Sequence, residues 1–189
     1  MDTLDALLSR SSTSALVAPA PEGDELDRIL QTALRAPDHG RLRPWRFLVI
    51  RDVARQRLAD VVAASVVRRD PDAPDAFVEK QRGKFLRPPL VLAVGAKIVE
   101  SSKAPEVEQL LSVGAATMNV LNALHASGYG AVWITGATSY DPEVGSALGF
   151  AAPDRLLGFL LVGTPSAGAD RPQPVRPTLA DHVAEWPAA

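Results

Sequence analysis

Three groups of polar residues in this chain of 189 residues have the types and spacing to do chemistry. The first is Arg35, Asp38, His39, Arg41 and Arg43, crowded around a short loop between Pro37 and Pro44. A loop fixed at both ends by proline is a good place to hold a charged or hydrogen-bonding ligand. The second is Arg10 followed by the hydroxyl run Ser11-Ser12-Thr13-Ser14. A forked guanidinium beside hydroxyls matches the oxygens of a phosphate, although a solvated turn has the same composition. The third is the apolar stretch Ala131-Val132-Trp133-Ile134-Thr135, which stops at Gly136. Glycine at a strand end lets a planar ligand approach the backbone closely, and an ordinary core strand with a turn glycine reads the same way.

What is missing narrows the chemistry further. There is no cysteine, which removes disulfides, thiolate nucleophiles and cysteine-ligated metals together. Three histidines without metal spacing, and no Gly-x-Ser-x-Gly elbow, leave poor means for metal or serine catalysis. Demanding chemistry would therefore have to come from a bound cofactor. A net charge of -2 gives no general attraction to nucleic acid or anionic lipid. The apolar runs Leu90 to Ala96 and Leu156 to Val162 are far too short to span a bilayer, and the acidic start Met1-Asp2-Thr3-Leu4-Asp5 is unlike a signal peptide, so the expected location is cytoplasmic.

The elements that must position these groups can be read in order. Asp2 caps a short helix carrying Leu4, Leu7 and Leu8 on one face, and this helix delivers Arg10. A second helix has Leu26, Ile29, Leu30, Ala33 and Leu34 on one stripe and must stop before Pro37. Phe47 to Ile50 reads as a strand, and Asp52 to Val66 as an amphipathic helix. After the break at Asp70 to Asp75, a helix with Phe77, Lys80 and Lys84 carries no chemistry that a solvated insert would not. Leu90 to Val94 suits a strand covered on both faces. Pro105 to Ser127 is the longest helix, apolar around most of its circumference, which implies packing against a second subunit. His125, in its last turn, suits a dipole partner as well as an acid. Asp141-Pro142 opens a short helix, Leu156 to Val162 is a strand, and from Pro165 the chain is proline-rich and extended. Periodicity alone gives a mixed α/β pattern with about five strands, within one domain over 1–189.

Four of these stretches together resemble the FMN-dependent nitroreductase family, in particular its minimal-domain branch of NAD(P)H nitroreductases. They are Leu7 to Ser12, Arg35-Ala36-Pro37-Asp38-His39 with Arg43-Pro44-Trp45-Arg46-Phe47, Gly128 to Gly136, and Gly158 to Pro165. The resemblance implies an α+β nitroreductase-like fold: a central mixed, mostly antiparallel sheet flanked by helices, in an intertwined homodimer. Residues 165–189 would be an arm crossing to the partner. It implies FMN held by Arg10, Ser11, Ser12, Arg35, His39, Trp133, Ile134, Thr135 and Gly136, with Arg176 or Arg171 at the phosphate. Ser11 stands where the family usually has a second arginine, and Trp133 taken alone suits core packing. Arg35 or Arg43 would favour the reduced flavin, and Ala123, Leu124, His125, Ala126, Ser127 and Gly128 would meet the nicotinamide nucleotide. The implied activity is ping-pong transfer of electrons from NADPH or NADH, through flavin N5, to nitroaromatics, quinones or similar acceptors. The other readings are a flavin-binding or flavin-remodelling protein without NAD(P)H turnover, and a non-enzymatic dimeric module in which Arg35, His39 and Arg43 form a salt-bridged loop.

Overall fold

The structure, a computed structural model, describes residues 2–100, 103–167 and 175–186. In chain order its elements are α1 (Thr3–Ser9), β1 (Leu16–Val17), α2 (Gly23–Gln31), β2 (Trp45–Ile50), α3 (Asp52–Arg69), α4 (Asp75–Leu86), β3 (Leu90–Ala96), α5 (Glu106–Ala126), β4 (Gly130–Ile134), α6 (Pro142–Ala147) and β5 (Arg155–Pro165). Strand β5 is the hub: β3, β4 and β1 all pair with it, and β2 pairs with β3. Every pairing is antiparallel. The architecture is α+β, a sheet with helices on both faces. None of the described helices is long and apolar enough to cross a membrane.

Alternation along β3 sorts the core into two layers. Leu90, Leu92, Val94 and Ala96 face α2 and α5, while Val91 and Ala93 face α3, α4 and α6. All seven β3 residues are buried, as expected of a strand covered on both sides. The same alternation in β4 sends Trp133 to the α5 layer and Ile134 to the α3 layer.

Three departures from the sequence reading have local causes. Helix α2 ends at Gln31 and tightens into a 3₁₀ turn over Thr32–Arg35, which rotates Leu34 out of the expected stripe and leaves it exposed. Ala36 is extended, as a residue before proline should be. Leu4, Leu7 and Leu8 of α1 do share a helix, but within one chain all three are exposed. β1 is only two residues long, too short to leave a periodic trace.

Gly158 is the tightest point of the sheet relevant to the site. It has φ of +136° beside a register shift in the β3–β5 pairing. A Cβ there would stand 2.5 Å from the Ile134 carbonyl oxygen and 2.6 Å from Trp133 Nε1. Gly158→Ala is therefore expected to destabilise the fold by about 2–4 kcal/mol, since both the backbone conformation and the contact must give way. Urea denaturation followed by circular dichroism would measure it.

Candidate functional site

The loop between α2 and β2 is held as a strained knot. Gly40, Arg41 and Arg43 all have positive φ, at 74°, 55° and 52°. Non-glycine residues in that region cost of order 1 kcal/mol or more each, and such strain tends to persist where surrounding contacts enforce it. Those contacts are present. Asp38 Oδ2 accepts from the Arg43 N–H (2.7 Å), and Arg46 Nη1 donates to the carbonyls of Arg43 (2.8 Å) and Trp45 (2.7 Å). Ser112 Oγ on α5 donates to the Pro37 carbonyl (2.7 Å). His39 Nδ1 donates to Glu108 Oε2 in the first turn of α5 (2.5 Å), with both side chains largely in solvent. The Arg35 side chain makes no hydrogen bond or ion pair among the described residues and is exposed, as is that of Arg43.

The second group forms at the other end of α5. Ser9, the last residue of α1, donates its hydroxyl to the Asp5 carbonyl (2.6 Å) and so accepts from His125 Nε2 (2.8 Å). This contact docks α1 against the last turn of α5. From there the chain runs past Arg10, Ser11 and Ser12 to Thr13, whose N–H donates to the Ala131 carbonyl in β4 (3.0 Å). Arg176, from the C-terminal segment, donates through Nη2 to the Arg10 carbonyl (2.8 Å). Two guanidinium-bearing residues thus meet beside the hydroxyls. Arg10 Nε is buried without an acceptor, a state that costs free energy unless an anion supplies one. Arg171, the other arginine considered for this role, lies outside the described residues.

β4 runs from this cluster toward the planar-ligand segment. Trp133 and Ile134 are partly buried, Thr135 is exposed, and Gly136 has φ of +110° with open space where a Cβ would be. Trp133 packs on the α5 core layer, and its Nε1 is buried beside Gly158 with no hydrogen-bond partner among the described residues. At the end of α5, Ala126, Ser127 and Gly128 are exposed and Ala123 and His125 partly so. Leu124 is fully buried, so its side chain offers no surface to a nucleotide.

A buried carboxylate, unremarked in the sequence beyond its helix-opening place, fixes the segment after β4. Asp141 caps α6 by accepting from the Glu143 N–H (2.9 Å), and takes further bonds from Ser65 Oγ (2.5 Å) and Arg68 Nη2 (2.7 Å) on α3. Burial pushes this carboxyl's pKa up, but the Ser65 hydroxyl, the Glu143 N–H and Arg68 outweigh it and hold the value below the ordinary 3.8. A depressed folded-state pKa stabilises the fold above the unfolded value and ceases to do so as pH falls through the folded one. Asp141→Asn should cost about 2–4 kcal/mol near neutral pH, a deficit that narrows below about pH 4. Denaturant midpoints of both proteins across that range would show it.

The groups that the sequence offers as one ligand site are therefore split. Arg10, Ser11, Ser12, Arg176 and the start of β4 lie at the C-terminal end of α5, His39 lies at its N-terminal end beside Glu108, and Arg35 lies between, since Thr32 accepts from Asn119 (3.0 Å) and Pro37 from Ser112 (2.7 Å). From Glu108 to His125 the helix rises roughly 25 Å, at 1.5 Å per residue. Between these ends, α5 exposes Val107 (59%), Leu111 (68%) and Met118 (38%) on one side.

The match to known proteins decides the family. The model of the nitroreductase family covers residues 7–164. The chain belongs to the nitroreductase family. It is 39% identical over 169 residues to a protein of Escherichia coli (strain K12) named "Putative NAD(P)H nitroreductase YdjA", covering 89% of this chain and 91% of that one. Among solved structures, a nitroreductase-like family protein from Bacillus cereus superposes with a TM-score of 0.83 at 20% identity, covering 100% of this chain and 97% of the other. A protein from Desulfovibrio desulfuricans solved in complex with FMN gives 0.74 at 23% identity, covering 100% and 99%. The nitroreductase fold expected from the four sequence stretches is thus the fold observed.

Proposed function

We propose that this nitroreductase-family chain is an FMN-dependent NAD(P)H oxidoreductase, active as a homodimer with two flavin sites shared between subunits. The observation that carries the reading is the buried Arg10 Nε lacking an acceptor, with the Arg176 guanidinium on the Arg10 carbonyl and Ser11 and Ser12 next in the chain. A phosphate satisfies that donor and both charges at once. The relative named as an NAD(P)H nitroreductase and the FMN-bound neighbour support the same cofactors.

FMN, bound there, would supply the redox chemistry of a ping-pong exchange, through flavin N5, between NADPH or NADH and a nitroaromatic, quinone or similar acceptor. The protein's residues bind and orient. Arg10 and Arg176 hold the phosphate, and Ser11 and Ser12 offer hydroxyls to it and to the ribityl chain. Ile134, Thr135 and Gly136 present the strand end to the ring plane. Trp133 supports that strand from the core side. Gly136 and the clamp at Asp141 keep this backbone open and fixed, which is the preorganisation a ring-binding surface needs.

Arg35 and His39 reach that ring from a second subunit. Within one chain α5 separates His39 from the Arg10 end by roughly 25 Å, and Arg35, flanked by the Thr32–Asn119 and Pro37–Ser112 bonds, lies alongside the middle of that helix. Antiparallel packing of two α5 helices through Val107, Leu111 and Met118 brings each end against the other's opposite end. Arg35 or Arg43 then places positive charge near the reduced ring, and His39 supplies a hydrogen bond. Leu179, Val183 and Trp186 of the C-terminal segment are exposed within one chain, Trp186 at 94%, and suit an arm lying across the partner. Ala126, Ser127 and Gly128, exposed at the end of α5, with Ala123 and His125 partly exposed beside them, are assigned to the nicotinamide nucleotide, and the buried Leu124 supports them from the core. Steady NADPH or NADH oxidation by FMN-loaded protein, dependent on an added quinone or nitroaromatic, tests the activity. A flavin-loaded dimer that fails to oxidise either nucleotide would instead be a flavin-binding protein.

A further inference from the structure

On the sheet face opposite α5, a cavity of about 380 Å³ opens between the end of α3, one side of α4 and the segment after β4. Its floor is apolar: Val66, Phe85, Ile134 and Phe159. Phe85 and Phe159 are almost fully buried and meet edge to face, ring centres 4.9 Å apart at 79°, so the floor is rigid. Phe77, Gln81 and Lys84 form one wall by their i, i+4, i+7 spacing on α4.

Above that floor stand two cations with donors to spare. Arg69 uses only Nε, toward the Ser65 carbonyl (3.2 Å) and hydroxyl (3.3 Å), and its terminal nitrogens make no hydrogen bond among the described residues. Its nearest carboxylate, Asp141 at 3.8 Å, is already engaged by Arg68 and Ser65. Lys84 Nζ donates once, to Gln81 Oε1 (2.6 Å), leaving two of its three N–H groups open. One carboxylate, Asp70, shares the lining, so positive charge predominates at the rim. Thr135, Thr138 and Ser139 add hydroxyl-bearing side chains on the far wall.

We propose that this cavity binds a small aromatic carboxylate, its ring against Phe77, which is 47% exposed, and the partly buried Ile134, over the buried phenylalanine pair, and its carboxylate at Arg69 and Lys84. An inorganic anion would leave the floor unused, and a neutral aromatic would leave the two cations unpaired. The volume suits one or two fused rings. The cavity adjoins the proposed flavin site, since Ile134 and Thr135 line it and also belong to the flavin-lining segment, while Trp133 and Leu124 face the α5 layer on the other side of the sheet.

Isothermal titration with 2-naphthoate and with 2-naphthalenemethanol, on the purified full chain with and without saturating FMN, tests this. The carboxylate should bind at least about tenfold more tightly than the alcohol, the difference a charge-assisted pair provides. Lys84→Glu should weaken naphthoate about tenfold or more and leave the alcohol unchanged, while Lys84→Arg should retain binding within about threefold. Lys84 is exposed and its one side-chain hydrogen bond among the described residues is to Gln81, so its variants should fold, as unchanged melting temperatures would verify. Equal affinity for the two compounds, no binding of naphthoate, or an unaltered affinity in Lys84→Glu would overturn the proposal. Displacement of naphthoate by FMN would also overturn it, by assigning the cavity to the flavin itself.

Discussion

Arg10→Ala is expected to weaken FMN binding by about 100-fold, equivalent to about 3 kcal/mol, because it removes a forked, charge-assisted contact to phosphate. The backbone of the site should survive, since the Arg10 carbonyl still accepts from Arg176 and the Thr13 N–H still reaches Ala131. Arg10→Lys should fall between the two, keeping the charge but losing the fork. Titration of apoprotein into FMN, followed by quenching of flavin fluorescence, separates the three proteins. Wild-type affinity in the alanine variant would remove Arg10 from the site and leave its buried Nε unexplained.

Leu111→Glu is expected to convert a dimer into a monomer and to strip the flavin in the same step. Leu111 is 68% exposed within one chain, so the substitution leaves the subunit's own core intact. At a two-fold helix interface the added carboxylate appears twice and is desolvated twice, which should raise the dimer dissociation constant by more than about 100-fold. Flavin loss follows because Arg35 and His39 of one subunit would no longer reach Arg10 of the other. Sedimentation velocity with absorbance detected at both protein and flavin wavelengths reads mass and cofactor together. A monomer that keeps its flavin would refute the shared site, and an unaltered dimer would refute the α5 interface.

What the sequence reveals of this molecule depends on how local the cause is. Pro37 ends the helix before it, Pro44 precedes a strand, and Asp141-Pro142 opens α6, each by effects within a few residues. β3 and α5 are legible because their apolar patterns are long. Leu34 misleads because a 3₁₀ turn changes the angular spacing that the stripe assumes. The site was harder. Arg10 and the hydroxyl run stand out by composition, and Arg176, one of the two arginines that the resemblance offers, bonds to the Arg10 carbonyl. His39 looks by residue type like a neighbour of that group, yet most of the length of α5 lies between them, a distance that no local periodicity encodes. The cavity beside α4 was missed for a different reason. Phe77, Gln81 and Lys84 at helical spacing look like a solvated face until α3 and the segment after β4 close over them. The buried clamp at Asp141 was equally hidden, since Ser65 and Arg68 are 76 and 73 positions away.

The central claim is that this chain binds FMN and accepts electrons from a nicotinamide nucleotide. An absorption spectrum of the purified protein, saturated with FMN, freed of excess and made anaerobic, tests it before and after addition of NADPH or NADH. The account expects flavin bands that co-purify with the dimer and bleach on addition of one nucleotide or both. Flavin bands that persist with both nucleotides, or a protein that retains no flavin after incubation with FMN, would contradict it.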